Sequence, residues 1–237
     1  MIHRLFAIVG RMNAKQRAAE AALPLVQSGM VVGLGTGSTA DYFLLALGRA
    51  VKEGALKNIV GVATSVQSEN RAKEVGIPLS TLVETPVLDI TVDGADEVDP
   101  KLDLIKGLGG ALVREKIIAQ ATKRFVIIAD ESKIVNKLGT KAPLPVEVLP
   151  FVHEAHIPFF KSLGATPSLR TVNGQPFKTD NGNLIYDCKF ASIDHALETE
   201  QKILARAGVV GTGLFVGMAT DVFVAHADQV EHRSRKR

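Results

Sequence analysis

The stretch Met30-Val31-Val32-Gly33-Leu34-Gly35-Thr36-Gly37-Ser38-Thr39 decides the fold. Its first half, residues 30–34, is apolar and ends toward glycine, the pattern of a strand buried on both faces of a parallel sheet. Its second half sets Thr36, Ser38 and Thr39 among closely spaced glycines. Residues 39–53 then take helical periodicity, with Phe43, Leu44 and Leu47 on one side. Strand, glycine turn and helix make a βα unit. Such glycines let the backbone come up against an anion, and the helix N-terminus behind them aims N–H groups at it. The turn lacks the Gly-Lys-Ser/Thr ending of triphosphate-binding loops. A dinucleotide site would want a third glycine near position 38 and an acid after the second strand, where Thr64 and Ser65 stand. A small phosphate fits the turn better than a nucleotide, and a plain serine-capped turn would need only one glycine.

Outward from this unit the rhythm repeats. Upstream, residues 13–27 read as an alanine-rich amphipathic helix broken by Gly29. Downstream, residues 58–63 read as a second strand and 65–75 as a helix closed by Gly76 and Pro78. Two more β-branched runs follow at 88–92 and 125–129, with a helix at 111–121 between them. After Gly139 the texture changes. Pro143, Pro145, Pro150 and Pro158 cluster, and strands at 168–172 and 184–190 flank an Asp180-Asn181-Gly182 turn. A helix at 193–207 and strand-like runs at 209–216 and 221–225 complete the chain. The expected fold is α/β: a Rossmann-like, mostly parallel sheet domain from 1–139 plus 209–237, with a smaller α+β domain at 140–208. Ligands of such sheets gather at the carboxyl ends of the strands. The polar segments after residues 34, 92 and 129 should therefore face one cleft.

Composition narrows the function classes. Among 237 residues, 46% are hydrophobic and 22% charged, ordinary for a soluble globular protein. No apolar run approaches the roughly 20 residues of a membrane span. Residues 1–12 carry Arg4 and a short apolar run, too short for a secretory signal and without a small-residue cleavage site. They read as an N-terminal extension, with Met12 as the alternative start. The single cysteine, Cys188, rules out an internal disulfide and suits a reducing compartment, so a cytoplasmic protein is expected. The formal charge of +3 resides in Arg233, Arg235, Lys236 and Arg237; without these four, basic and acidic residues nearly balance. This reads as a solvated basic tail rather than a grip on nucleic acid.

Three further segments carry chemistry. Asp93-Gly94-Ala95-Asp96-Glu97-Val98-Asp99 places four carboxylates after a strand, where repulsion demands ligands, partners or water. A solvated loop, a hard-metal site and recognition of sugar hydroxyls all suit it, although the spacing is not that of an EF-hand. Its position at a strand's carboxyl end favours a ligand. Lys106-Gly107-Leu108-Gly109-Gly110 brings a cation that could meet charge developing on a substrate oxygen. It leads into Arg114-Glu115-Lys116, where spacing alone reads Glu115 as a helix-surface glutamate. Lys133, after Asp130, and Lys15 in the first helix are either phosphate contacts or exposed lysines. His153 and His156 lack a third metal ligand, and Cys188 lacks the basic setting of a nucleophile.

Taken in order, these blocks resemble the type A ribose-5-phosphate isomerase family: Gly35 to Thr39, Asp93 to Glu97, Lys106 with its glycines, Arg114-Glu115-Lys116, Asp130 to Lys133, and Pro143-Leu144-Pro145-Val146-Glu147-Val148. The resemblance implies an aldose–ketose isomerase acting on ribose 5-phosphate through a cis-enediolate. It implies Glu115 as the base, Lys106 as the group that stabilises the enediolate oxygen, and Asp93 in ring opening and hydroxyl binding. It places Lys15, Thr36, Gly37, Ser38, Thr39, Gly94, Ala95, Asp96, Gly107, Leu108, Gly109 and Lys133 at substrate-binding positions. It further implies no metal, no cofactor, no nucleic-acid or membrane partner, and a homodimer or homotetramer. Leu108 departs from the family's unbroken glycine run. Amino-sugar-phosphate deaminases and CoA transferases share a related sheet, but the Lys106–Glu115 block argues against both. A non-catalytic sugar-phosphate sensor would be expected to have lost Glu115.

Overall fold

The computed structural model describes residues 13–235, so the extension at 1–12 and its alternative start lie outside the described residues, as do Lys236 and Arg237. The chain opens with α1 (Ala14–Ala22), whose N-cap Asn13 accepts from the Gln16 N–H. It continues through β1 (Val31–Leu34), α2 (Ser38–Lys52), β2 (Val60–Ala63), α3 (Val66–Glu74) and β3 (Leu88–Gly94). Short β4 (Glu97–Val98) and β5 (Leu104–Ile105) precede α4 (Leu112–Gln120) and β6 (Thr122–Asp130). The second domain runs through β7 (Leu144–Val148), α5 (Ile157–Ser162), β8 (Thr166–Leu169), β9 (Thr171–Val172), β10 (Gln175–Pro176), β11 (Leu184–Lys189) and α6 (Ala196–Leu204). The chain then returns by β12 (Val209–Thr212), β13 (Leu214–Phe215), β14 (Asp221–Ala225) and β15 (Val230–Ser234).

The main sheet has the order β15-β14-β6-β3-β1-β2, parallel except for β15. Period-two alternation sends Val126 and Ile128 to one face, against Phe43, Leu44 and Leu47 of α2 and the alanines of α1. Phe125 and Ile127 go to the other face, against Val98, Leu104 and Phe215. Phe43 is fully buried, and each side chain of that size contributes about 1.5–3 kcal/mol. Close approach of β1 and β3 depends on glycine: a Cβ on Gly33 would lie 2.0 Å from Thr91 Oγ1, and one on Gly35 only 2.4 Å from Asp93 Oδ1. From β1 the chain goes out to β2 on one side, and β3 then pairs on the other. The carboxyl ends of β1 and β3 therefore form a topological switch point.

The second sheet, β12-β7-β11-β8, is antiparallel and packs Leu144, Val146, Tyr186 and Cys188 against Phe160 and Ile203. β12 pairs with β7 in this sheet, and the main sheet takes up the chain again at β14. β7 was hidden in the proline cluster. It is an interior strand even though it holds Pro145, because β12 has ended where that missing N–H would point. There Gly213 takes over. Its N–H donates to Pro145 O at 2.8 Å and its carbonyl accepts from the Lys106 N–H at 2.8 Å. The expectation of a solvated basic tail is corrected for Arg233 and Arg235. β15 is an ordered edge strand, Arg233 pairs with Glu231, and Arg235 bonds Asp103 and the carbonyls of Leu102 and Ala219. Among the described residues no helix is long and apolar enough to cross a membrane.

Candidate active site

The switch point holds three buried charges. β3 delivers Asp93, the residue after β5 is Lys106, and the first turn of α4 presents Glu115. Lys106 Nζ lies 3.0 Å from Asp93 Oδ2 and 3.1 Å from Glu115 Oε1, and it donates to Gly94 O at 2.6 Å. Exposure is 2% for Lys106, 0% for Asp93 and 4% for Glu115. The reading of Glu115 as a surface glutamate is therefore corrected: other segments of the chain enclose it.

These burials set the proton affinities. Burial pushes Glu115 up from 4.5 to about 8; Lys106 opposes this and the nearby Asp93 charge adds to it. Burial also raises Asp93, against the pull of Lys106 and of the N–H bonds that its Oδ1 accepts from Gly94 and Thr36. Lys106 feels the same burial in the opposite sense, but Asp93 and Glu115 outweigh it and hold the ammonium above its ordinary value. One cation thus serves two carboxylates. Asp93 Oδ2 and Glu115 Oε2 are both buried without a well-aligned hydrogen-bond donor, but Asp93 Oδ2 has the Lys106 ammonium at 3.0 Å. The ammoniums of Lys106 and Lys116 also lie 5.5 and 5.0 Å from the Phe215 ring centroid.

Above this cluster opens a cavity of about 100 Å³. Thr36, Gly37, Ser38 and Thr39 line one side, Gly94, Ala95 and Asp96 another, and Lys106, Gly107, Gly109 and Glu115 a third, with Lys15 and Lys133 also present. Gly37 adopts a left-handed φ of 106°, and α2 starts behind it with no side-chain cap, leaving its first N–H groups for a ligand. Lys15 Nζ donates to Ser38 Oγ at 2.8 Å. Thr36 Oγ1 is tied to Thr64 and Ser65, both at 2.7 Å. Two residues expected at the site stand apart from the lining. Asp93 lies beneath it, against Lys106. Leu108 is 40% exposed on the rim and touches the site only through its N–H, which donates to Asp96 Oδ2 at 3.0 Å.

Sequence reasoning missed the second domain's part. Arg170 donates to the carbonyls of Gly107 and Leu108, and the Phe177 ring fills the space where a Cβ on Gly110 would be. The one local signal was a charge inside the strand-like run 168–172. A larger, mostly apolar cleft of about 440 Å³ lies beyond α4, lined in part by Leu79, Leu82, Ile117 and Ile118. Of its ionisable lining residues, Glu69 and Lys73 are paired with each other, Glu84 accepts from Ser80, and Arg114 bonds Asn181 and Asp180. Burial pushes the Cys188 thiol up to about 12, as suits an inert core residue. His153 bonds the Tyr186 hydroxyl and His156 accepts from Arg206. Among the described residues no group of three or more His, Cys, Asp or Glu could hold a metal ion.

Comparison with known proteins gives a consistent result. The sequence profile of the family Ribose 5-phosphate isomerase A (phosphoriboisomerase A) matches residues 60–229. Ribose-5-phosphate isomerase A of Desulfatibacillum aliphaticivorans is 52% identical over 217 residues, 91% of this chain and 94% of that protein. The solved ribose 5-phosphate isomerase of Plasmodium falciparum superposes with a TM-score of 0.91 at 42% identity, covering 94% of this chain and 98% of its own. A solved D-ribose-5-phosphate isomerase in complex with phospho-erythronic acid gives 0.92 at 42% identity, covering 94% and 100%. With this sheet, this buried charge cluster and these matches, the chain belongs to the ribose 5-phosphate isomerase A family.

Proposed function

We propose that the chain interconverts D-ribose 5-phosphate and D-ribulose 5-phosphate in the cavity above Lys106. The observation that carries the assignment is Glu115: a buried carboxylate with one oxygen on Lys106 and the other unpartnered, at the floor of a phosphate-sized turn. In the open-chain aldose, Glu115 takes the proton from C2 and returns it to C1, while the hydroxyl proton passes from O2 to O1. A base with a proton affinity near neutrality suits both the taking and the giving. The Lys106 ammonium meets the negative charge of the cis-enediolate, at a point where little water screens it. Asp93 keeps Lys106 charged and in place from beneath. The uncapped N-terminus of α2, with Ser38, Thr39, Lys15 and Lys133, holds the phosphate, and Asp96 accepts from sugar hydroxyls. This holding of both substrate ends presents C1 and C2 to Glu115. The complex of a solved family member with phospho-erythronic acid, a four-carbon acid bearing a phosphate, is in keeping with such a site. A cytoplasmic homodimer or homotetramer completes the reading.

The test is conversion of ribose 5-phosphate to the ketose by the purified chain, with and without EDTA. Turnover unchanged by the chelator supports the mechanism. Binding without turnover would make the chain a sensor of sugar phosphates, and absence of both would remove the substrate assignment.

A further inference from the structure

On the reading of this cavity as the substrate site, we propose that Arg170 is a positioning residue that sets the glycine loop after Lys106 for catalysis. Arg170 comes from the second domain, between β8 and β9. Its Nη1 donates to Gly107 O and to Leu108 O, both at 3.0 Å. Its Nε and Nη2 donate to Asp187 at 2.9 and 2.5 Å, which fixes the guanidinium plane. Its own backbone is held by Ile185 O and by the Phe177 N–H, and its guanidinium carbon lies 5.8 Å from the Phe177 ring centroid.

The effect on the cavity follows from peptide planarity: in a trans peptide the N–H points away from the carbonyl. Because Gly107 O faces Arg170, the Leu108 N–H faces the other way, and there it meets Asp96 Oδ2. Because Leu108 O faces Arg170, the Gly109 N–H is likewise turned away. Gly109 lines the cavity, and among the described residues its N–H meets no acceptor. Arg170 thus orients two peptide groups, one supporting Asp96 and the other giving the cavity a backbone donor. The loop needs such a clamp. Gly107 and Gly110, at φ 97° and 89°, flank it; a turn bond from the Gly110 N–H at 2.9 Å also holds Gly107 O, whereas among the described residues Leu108 O has Arg170 as its partner. The guanidinium holds Asp187 through Nε and Nη2 while Nη1 takes both carbonyls, a rigid planar geometry that the single point charge of a lysine does not reproduce.

The experiment measures ribose 5-phosphate turnover and melting temperature for the full chain and three variants. Arg170→Ala is expected to lose about 10²-fold in kcat/KM, as for displacement of a site by an ångström from outside it. Arg170→Lys should recover only part of the loss. Added guanidinium chloride, well below denaturing concentration, should raise turnover of Arg170→Ala, and sodium chloride at equal ionic strength should not. The control is Lys189→Ala. Lys189 Nζ ties the carbonyls of Gly139, Thr140 and Lys141 within 3.2 Å from the same domain without touching the glycine loop. That variant should melt lower with kcat/KM near wild type. Wild-type kcat/KM in a folded Arg170→Ala, or an equal loss in Lys189→Ala, overturns the proposal. Should Arg170→Ala not fold, wild-type kcat/KM in Arg170→Lys overturns it instead. An inactive wild-type chain overturns the functional reading and the proposal together.

Discussion

Replacing Glu115 by glutamine separates its cost to the fold from its use in turnover. The carboxyl is 4% exposed, and burial raises it from 4.5 to about 8. Above pH 8 the folded chain must therefore keep a buried anion beside Asp93, at a cost on the order of a few kcal/mol. The sign is fixed by proton binding. Between pH 4.5 and 8 the folded state holds a proton on Glu115 that the unfolded state has lost, so this group makes stability fall as pH rises through that window. Glutamine removes the anion, but its amide leaves a donor where Oε2 has no partner, which returns about 1 kcal/mol of the gain. At 2–4 °C per kcal/mol for a chain of this size, Glu115→Gln should melt roughly 3–8 °C above wild type at pH 9. Near pH 4 the two should converge. At pH 8–9, where the wild-type base is largely ionised, turnover should fall by about 10²–10⁴-fold, and the gap should narrow as pH falls. In the wild type, kcat/KM should climb with pH up to about 8, as the base form accumulates. The assays are scanning calorimetry at pH 4 and 9 and initial rates of ketose formation. A variant that melts below wild type at pH 9, or turns over within tenfold of it, would refute the reasoning.

Lys106→Ala should cost about 3–5 kcal/mol, because it leaves Asp93 and Glu115 buried without their cation. Its turnover should drop about 10²–10³-fold, and denaturation and rate assays check both. Gly35→Ala drives a Cβ to 2.6 Å from the Asp93 backbone, which cannot swing aside; urea denaturation should show a loss on the order of 1–3 kcal/mol. At Asp221 burial acts upward, but hydrogen bonds from Arg124, Thr220 and His232 outweigh it and hold the carboxyl down at about 2. Its folded value lies below the unfolded 3.8, so its contribution is full above that pH and is lost as pH falls toward 2. Asp221→Asn should cost on the order of 1–2 kcal/mol at pH 7 and almost nothing at pH 2, measured by denaturant unfolding across that range.

Parallel strands announced themselves because both their faces are buried. Val31–Leu34 and Asp221–Ala225 are apolar runs in the sequence and strands in the fold. β7 was obscured because a proline argues against an interior strand, and its tolerance depends on Gly213, far along the chain. β15 was obscured because an edge strand needs no apolar face, and its charges looked like a tail. The cavity lining was legible wherever the donor is backbone or hydroxyl at a strand end, as at residues 36–39 and 94–96. Glu115 was legible only through resemblance. Its enclosure is made by Lys106 and Asp93, and helical spacing contains no information about either. Arg170 was illegible because its partners are two backbone carbonyls some sixty residues earlier.

The junction of Gly213 with Pro145 and Lys106 bears on how the protein is made. A Cβ at 213 would stand 2.2 Å from Lys106 O, so the three segments interlock as closely as backbones can. Lys116, next to Glu115, is likewise secured by Leu214 O. During synthesis from the N-terminus, residues 36, 93, 106 and 115 all emerge before the segment that braces them. A nascent chain ending short of Gly213 carries Asp93, Lys106 and Glu115 and lacks the frame for them. Pairings this distant in sequence form slowly, and they leave Leu104, Ile105 and Phe125 exposed until the last strands arrive. The charge cluster is therefore expected to reach its arrangement only after the segment from Gly213 onward has been made.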